Sequence, residues 1–183
     1  MGGTALIARI ALLALVVAPL AGAAERAAPW WETFRLDPTG GDVFGVPVAA
    51  IDGDWRSARA LGTADFDAAQ RAELDKRGLT FQLQGDFNDD GHPDRAVVGT
   101  YADRRGKTGR FVAIFTQYTS TWTRAYRETV EGEPGFGALS RDTAGTLDVG
   151  RIRWTRCVGC TPDEIAWNGT GYFLMPGESV PRR

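Results

Sequence analysis

The sequence predicts an α+β fold that is mainly β: an antiparallel meander carrying one Asp-rich loop, with an N-terminal helix packed on the sheet. Three observations predict it. Beyond Gly78, short apolar segments alternate with polar residues at the period of two expected of half-buried strands. Those segments are joined by short connections, which suit antiparallel neighbours. Only one stretch, Asp65 to Arg77, carries good helix signals.

The first residues read as an export signal rather than as fold. Arg9 supplies a positive start, Ile10 to Leu20 is apolar, and Ala21-Gly22-Ala23 ends the segment with an A-x-A cleavage pattern. Residues 1–23 are therefore expected to be a signal peptide, and the location periplasmic or extracellular. The apolar run is short for a membrane span, which needs about 20 residues. Cleavage leaves a chain of about 160 residues, enough for one domain with a substantial core. No later segment has the length and apolarity of a spanning helix. The chain holds 21 Lys and Arg against 23 Asp and Glu, a net charge of −2, which argues against a dedicated nucleic-acid binder. Arg104, Arg105, Lys107 and Arg110 form the one basic cluster, expected at a solvated hairpin tip.

Residues 24–54 are expected to be an extended leading segment, followed by a single β-rich domain over 55–183. Pro29, Pro38 and Pro47 oppose a continuous helix there, while Trp30, Trp31 and Phe34 are candidates to pack on the core. A short helical piece is expected over Trp55 to Leu61. The main helix is expected to begin with Asp65 as N-cap, to turn Phe66, Ala69 and Leu74 to one face, and to stop at Gly78. Thr80 to Gln84 reads as a strand. Ala96 to Tyr101 and Arg110 to Gln117 read as a hairpin, and Phe111 to Phe115, apolar on both faces, as a strand covered on two sides. Thr121 to Glu128 is a further strand and Gly132 to Gly145 loop-like. Leu147 to Trp154 follows as a strand, then a hairpin of Ile165–Trp167 and Tyr172–Leu174 turning at Asn168-Gly169. That turn chemistry also accounts for the sequon Asn168-Gly169-Thr170.

The chemistry of the chain concentrates in Asp86-Phe87-Asn88-Asp89-Asp90-Gly91-His92-Pro93-Asp94. Asp86, Asn88 and Asp90 stand at loop positions 1, 3 and 5. Gly91 stands at position 6, where a sharp turn wants no Cβ. His92 at position 7 would offer its carbonyl, and Asp94 at position 9 a carboxylate. This ordering of oxygens suits Ca²⁺, which takes about 6–8 of them; Mg²⁺ demands stricter octahedral geometry. Three carboxylates in one short loop repel one another unless a cation joins them. An ion-free Asx-rich turn is the plainer alternative.

With its flanks, Gly85 to Gly99, the loop resembles the Ca²⁺ loops of FG-GAP and VCBS-type repeats, known from integrin α-chain propellers and exported bacterial proteins. The family pattern runs G-D-x-N-x-D-G-x-x-D into an apolar strand. The resemblance implies Asp86, Asn88, Asp90, His92 and Asp94 as calcium ligands, with Asp89 facing solvent. An EF-hand would need a bidentate Glu at position 12 and a helix after the loop. Position 12 is Val97, in the strand-like run Ala96-Val97-Val98. A dockerin-like module would carry two copies, and this chain has one. A propeller needs about four to eight four-stranded blades, so the family's adhesive role does not transfer with the loop.

Cys157 and Cys160 form C-x-x-C in strand-like surroundings. A structural disulfide is favoured over a redox dithiol, which normally opens a helix, and zinc lacks the further ligands of a closed site. His92 is the only histidine, so any Ser–His or Cys–His scheme would have to use it. Trp55, Trp122, Trp154, Trp167 and Tyr172 are expected to be core or sheet-packing residues, with a ligand groove as the alternative. No residue is assigned a catalytic role. The expectation is a non-catalytic exported domain with a structural Ca²⁺, binding a protein or a glycan of the bacterial envelope. The alternative is an envelope enzyme, a hydrolase or a thiol–disulfide protein using the C-x-x-C pair.

Overall fold

A computed structural model describes residues 27–141 and 151–177. The expected signal peptide and residues 147–150 of the expected strand Leu147–Trp154 lie outside the described residues. The architecture is mainly β and antiparallel, as expected.

Strands β5 (Asp94–Asp103) and β6 (Thr108–Tyr118) form the central hairpin. On one side β6 pairs with β7 (Thr121–Glu131). On the other, β3 (Trp55–Ala60) and β4 (Gln82–Gly85) share the same edge of β5. β4 covers its first residues and β3 its last. A second sheet has the order β11-β10-β9-β8, from Tyr172–Met175, Asp163–Trp167, Ile152–Thr155 and Ala138–Arg141. Thr80 and Leu139 exchange backbone hydrogen bonds of 2.8 and 2.6 Å and so join the two sheets.

Alternation along β5 and β6 sends apolar side chains to both faces. Ala96, Val98, Val112 and Ile114 meet Leu139, Ile152, Trp154 and Ile165 of the second sheet, together with Phe66, Leu74, Phe81 and Phe136. Val97, Tyr101, Phe111, Ala113 and Phe115 face the opposite way, onto Val43, Val46, Val48, Ile51 and Trp55. Coverage of Phe111–Phe115 on two sides is thus observed.

The leading segment departs from an extended reading. Trp30–Thr33 (α1) and Val48–Ile51 (α2) are single helical turns, and Asp42–Val43 (β1) pairs with Val46–Pro47 (β2). Pro29 and Pro47 stand directly before the two turns, a place where a fixed φ is tolerated. Trp30, Trp31 and Phe34 pack on the first core, and the Trp30 indole N–H donates to Glu73 at 2.9 Å.

In place of the helical piece expected over Trp55–Leu61, Trp55–Ala60 is strand. A bulge between Trp55 and Ser57 puts buried Trp55 and Ala58 three residues apart, a spacing that imitates a helix in the sequence. The main helix, α3, is Ala68–Lys76, capped by Asp67 rather than Asp65. Asp67 accepts from the Gln70 N–H at 2.8 Å, and the Gln70 side chain returns the bond at 2.9 Å. Asp65 instead closes a 3₁₀ turn by accepting from the Gly62 N–H. Leu74 is the buried residue of α3, while Ala69 is exposed. Within the expected loop Gly132–Gly145, Ala138–Arg141 is strand β8. Pairing with β9 and burial of Ala138 and Leu139 override a Gly-rich sequence of low strand propensity. Arg110 leaves the basic cluster: it is half-buried in β6 and donates to the carbonyls of Phe136 and Arg156. Burial holds its guanidinium below the usual arginine range.

Candidate metal loop and the groove beside it

The Asp-rich loop is the connection of a hairpin. The pair Gly85–Asp94 closes it, β4 enters and β5 leaves. Strand, not helix, therefore follows Asp94, and Val97 is wholly buried in the second core. Phe87 tethers the loop by burying its ring in the first core.

Above this tether the chain coils around its own acids. Asp86 accepts from the N–H groups of Asp90 (3.1 Å) and Gly91 (2.8 Å). Asp90 accepts from the His92 N–H and from the Asn88 amide, both at 2.8 Å. Gly91 makes the turn with φ of +80°, where a side chain would be strained. The slight burial of Asp90 would raise its pKa, but the hydrogen bonds from His92 and Asn88 outweigh it and hold the carboxyl below the ordinary value. The Asn88 carbonyl Oδ1 is buried and has no hydrogen-bond partner among the described residues. An orphaned buried acceptor is costly, by about 1–3 kcal/mol. It stands at loop position 3 of the pattern read from the sequence, an oxygen still open to a further partner.

Asp94 is placed differently. It is 1 % exposed and accepts from the Phe87 N–H (2.8 Å), the Thr116 hydroxyl (2.6 Å) and the Tyr172 hydroxyl (2.9 Å). A carboxylate offers about four acceptor sites, so three bonds leave one. Burial, then the bond to Asp94, raises the Tyr172 pKa, which keeps this hydroxyl a donor. Asp94 thus fastens the loop to β6 and to β11 in the second sheet. Among the described residues, no three His, Cys, Asp or Glu side chains are arranged as a metal-holding group. The loop brings Asp86, Asn88 and Asp90 together through hydrogen bonds, with Asp94 below them. His92 is exposed, and its ring stands 4.9 Å from that of Tyr118.

Beside the loop opens a groove of about 610 Å³. Gln84, Asp86, His92, Asp94, Arg95, Gln117 and Trp122 are among the residues that line it. The Arg95 guanidinium carbon stands 4.7 Å from the Phe44 ring centroid and 4.6 Å from that of Trp122. Phe44 is 40 % exposed in the β1–β2 turn with φ of +53°. A bulky residue held in the left-handed region costs about 1–3 kcal/mol. Core packing, the favoured expectation, holds for Trp55 and Trp154, which are buried; Trp122 is partly buried against the second core and lines the groove. Arg95 and Phe44 were missed. They are distant in sequence, and an isolated Arg in a strand carries no motif.

Cys157 and Cys160 stand at disulfide distance with Cα atoms 5.6 Å apart, between β9 and β10. Thr155 donates to the Cys157 carbonyl, and no helix begins at the pair. Among the described residues no helix is long and apolar enough to cross a membrane. No family model matches the chain, and no curated protein or solved structure matches it.

Proposed function

We propose that this chain is a non-catalytic, exported binding domain whose Asp86–Asp94 loop takes a structural Ca²⁺. The observation that carries the reading is the Asn88 Oδ1: a buried, unpartnered acceptor inside a loop whose backbone N–H groups already orient the Asp86 and Asp90 carboxylates. Asp86, Asn88, Asp90 and the His92 carbonyl would hold the ion, with Asp94 offering its one remaining acceptor site. The cation would neutralise the crowded acids and satisfy the orphaned oxygen. A cysteine pair at disulfide distance supports an oxidising compartment, and hence export. The strand-flanked setting of that pair supports a structural role over a redox one.

Calorimetric titration with Ca²⁺ and Mg²⁺, paired with thermal unfolding, tests the ion. At millimolar Ca²⁺ and a dissociation constant of about 10⁻⁴–10⁻³ M, stabilisation of about 0.5–1.5 kcal/mol is expected. Asp90→Ala should abolish it. An absent Ca²⁺ response in the wild type, or an unchanged one in the variant, overturns the assignment.

A further inference from the structure

We infer that the groove between the metal loop and Trp122 is a binding site for a carboxylate-bearing saccharide, with Arg95 as its anchor. The inference rests on the reading of the chain as a binding domain, but not on the ion.

Arg95 carries it. Among the described residues its guanidinium has no carboxylate partner and makes no hydrogen bond, and its Nε is buried without one. Its contacts are the rings of Phe44 and Trp122. Ring contacts of this kind do not use up the guanidinium's N–H donors, whose planar fork matches a carboxylate. The clamp orders the side chain in advance, so a ligand need not pay that entropy. Phe44 reaches it from a turn whose two central residues both have positive φ, a conformation that suits Asn or Gly and not an exposed phenylalanine. A structural turn would not choose that residue. Its one described aromatic–cation contact is with Arg95.

The lining selects the rest of the ligand. Gln84 and Gln117, whose amides both donate and accept, line a space of about 610 Å³. Hydroxyl groups, which also do both, match such walls. That volume falls within the range of small-ligand sites, about 300–1,000 Å³. The acids of the loop disfavour a phosphate dianion, whereas a monoanionic carboxylate directed at Arg95 avoids most of that repulsion. Hydroxyl-rich and singly anionic describes a uronic acid better than a peptide C-terminus.

The test is a titration of the full chain with methyl glucuronide, methyl glucoside and N-acetylglycine, followed by ¹H–¹⁵N NMR at the Trp122 indole and the Arg95 and Gln117 amides. Each is run with Ca²⁺ and with chelator. Saturable shifts confined to the groove are expected with the glucuronide, and affinity weaker by about tenfold or more with the glucoside, which lacks only the carboxylate. Arg95→Lys should weaken glucuronide binding by about tenfold, since an ammonium lacks the planar fork. Should that variant fail to fold, Phe44→Gly relieves the turn while removing half the clamp, and a loss of about threefold or more is expected. Equal binding of glucoside and glucuronide overturns the proposal, as does an unmoved Trp122 indole or N-acetylglycine binding as tightly as the glucuronide. Glucuronide binding that persists in chelator, with no Ca²⁺ effect on unfolding, separates failure of the ion from failure of the groove.

Discussion

Two connections flank β5, one Asp-rich and one opened by a single Asp, and they use their oxygens differently. At its far end Asp103 accepts from the N–H groups of Arg105 and Lys107, both at 2.8 Å, and Lys107 pairs with Glu131 at 2.9 Å. The Asp103 carboxylate finds its donors within the turn, as Asx turns do, and the Arg104 N–H donates to the Asp54 carbonyl at 2.9 Å. At the near end, Asp86 and Asp90 make the same kind of bond, yet Asn88 Oδ1 remains buried and unpartnered. Asp94 is committed to the interior through three donors. What separates the two connections is the one oxygen left over at Asn88.

Substitutions can break this contrast. The largest effect is expected from Asp94→Ala, which strands the Phe87 N–H and the Thr116 and Tyr172 hydroxyls. A loss on the order of 3–5 kcal/mol in urea unfolding is expected, against about 1 kcal/mol for Asp103→Ala at the exposed turn. Similar losses for the two would erase the distinction. Tyr172→Phe should cost about 1–2 kcal/mol, since it leaves Asp94 two donors. It should also change the alkaline limb. The Tyr172 pKa is raised in the fold, so its contribution is complete below the unfolded value near pH 10 and is lost as pH rises through the folded one. Stability measured between pH 9 and about 11.5 should fall less steeply in the variant; identical slopes would place that loss at Tyr126 or elsewhere.

Finer comparisons follow with calcium. Asp103→Ala should keep the whole Ca²⁺-dependent stabilisation of about 0.5–1.5 kcal/mol. A diminished response there would move the ion to the wrong end of β5. Smallest of all, Asn88→Ala should change ion-free stability by no more than about 0.5 kcal/mol. It removes an unsatisfied oxygen together with an exposed bond to Asp90. The Ca²⁺ response should nevertheless vanish, and its survival would show that the orphaned oxygen is not a ligand.

Much of this was legible in the chain itself. The β5–β6 hairpin was readable because Phe111–Phe115 is apolar at every position, which only a strand covered twice requires. The loop's ordering of Asp86, Asn88, Asp90 and Gly91 was readable because local backbone bonds dictate it. Three things were not. The Trp55–Ser57 bulge turned a period of two into one of three. Strand β8 exists because β9 and Thr80 pair with it, partners remote in sequence. Asp94 reads as a ligand from spacing, yet its hydrogen bonds come from residues up to 78 positions away. The Arg95 clamp likewise unites two strands and a distant turn, a meeting that no local pattern announces.

The double covering of the central hairpin has a further consequence. With one side of β5 and β6 sealed by a companion sheet and the other by the leading segment, neither broad surface can serve as a platform for visitors. The proposed groove opens instead at the rim, where β5 begins and β6 ends. That rim holds an acid-lined coil and a stacked cation within one opening, so whatever docks there meets both signs of charge at once.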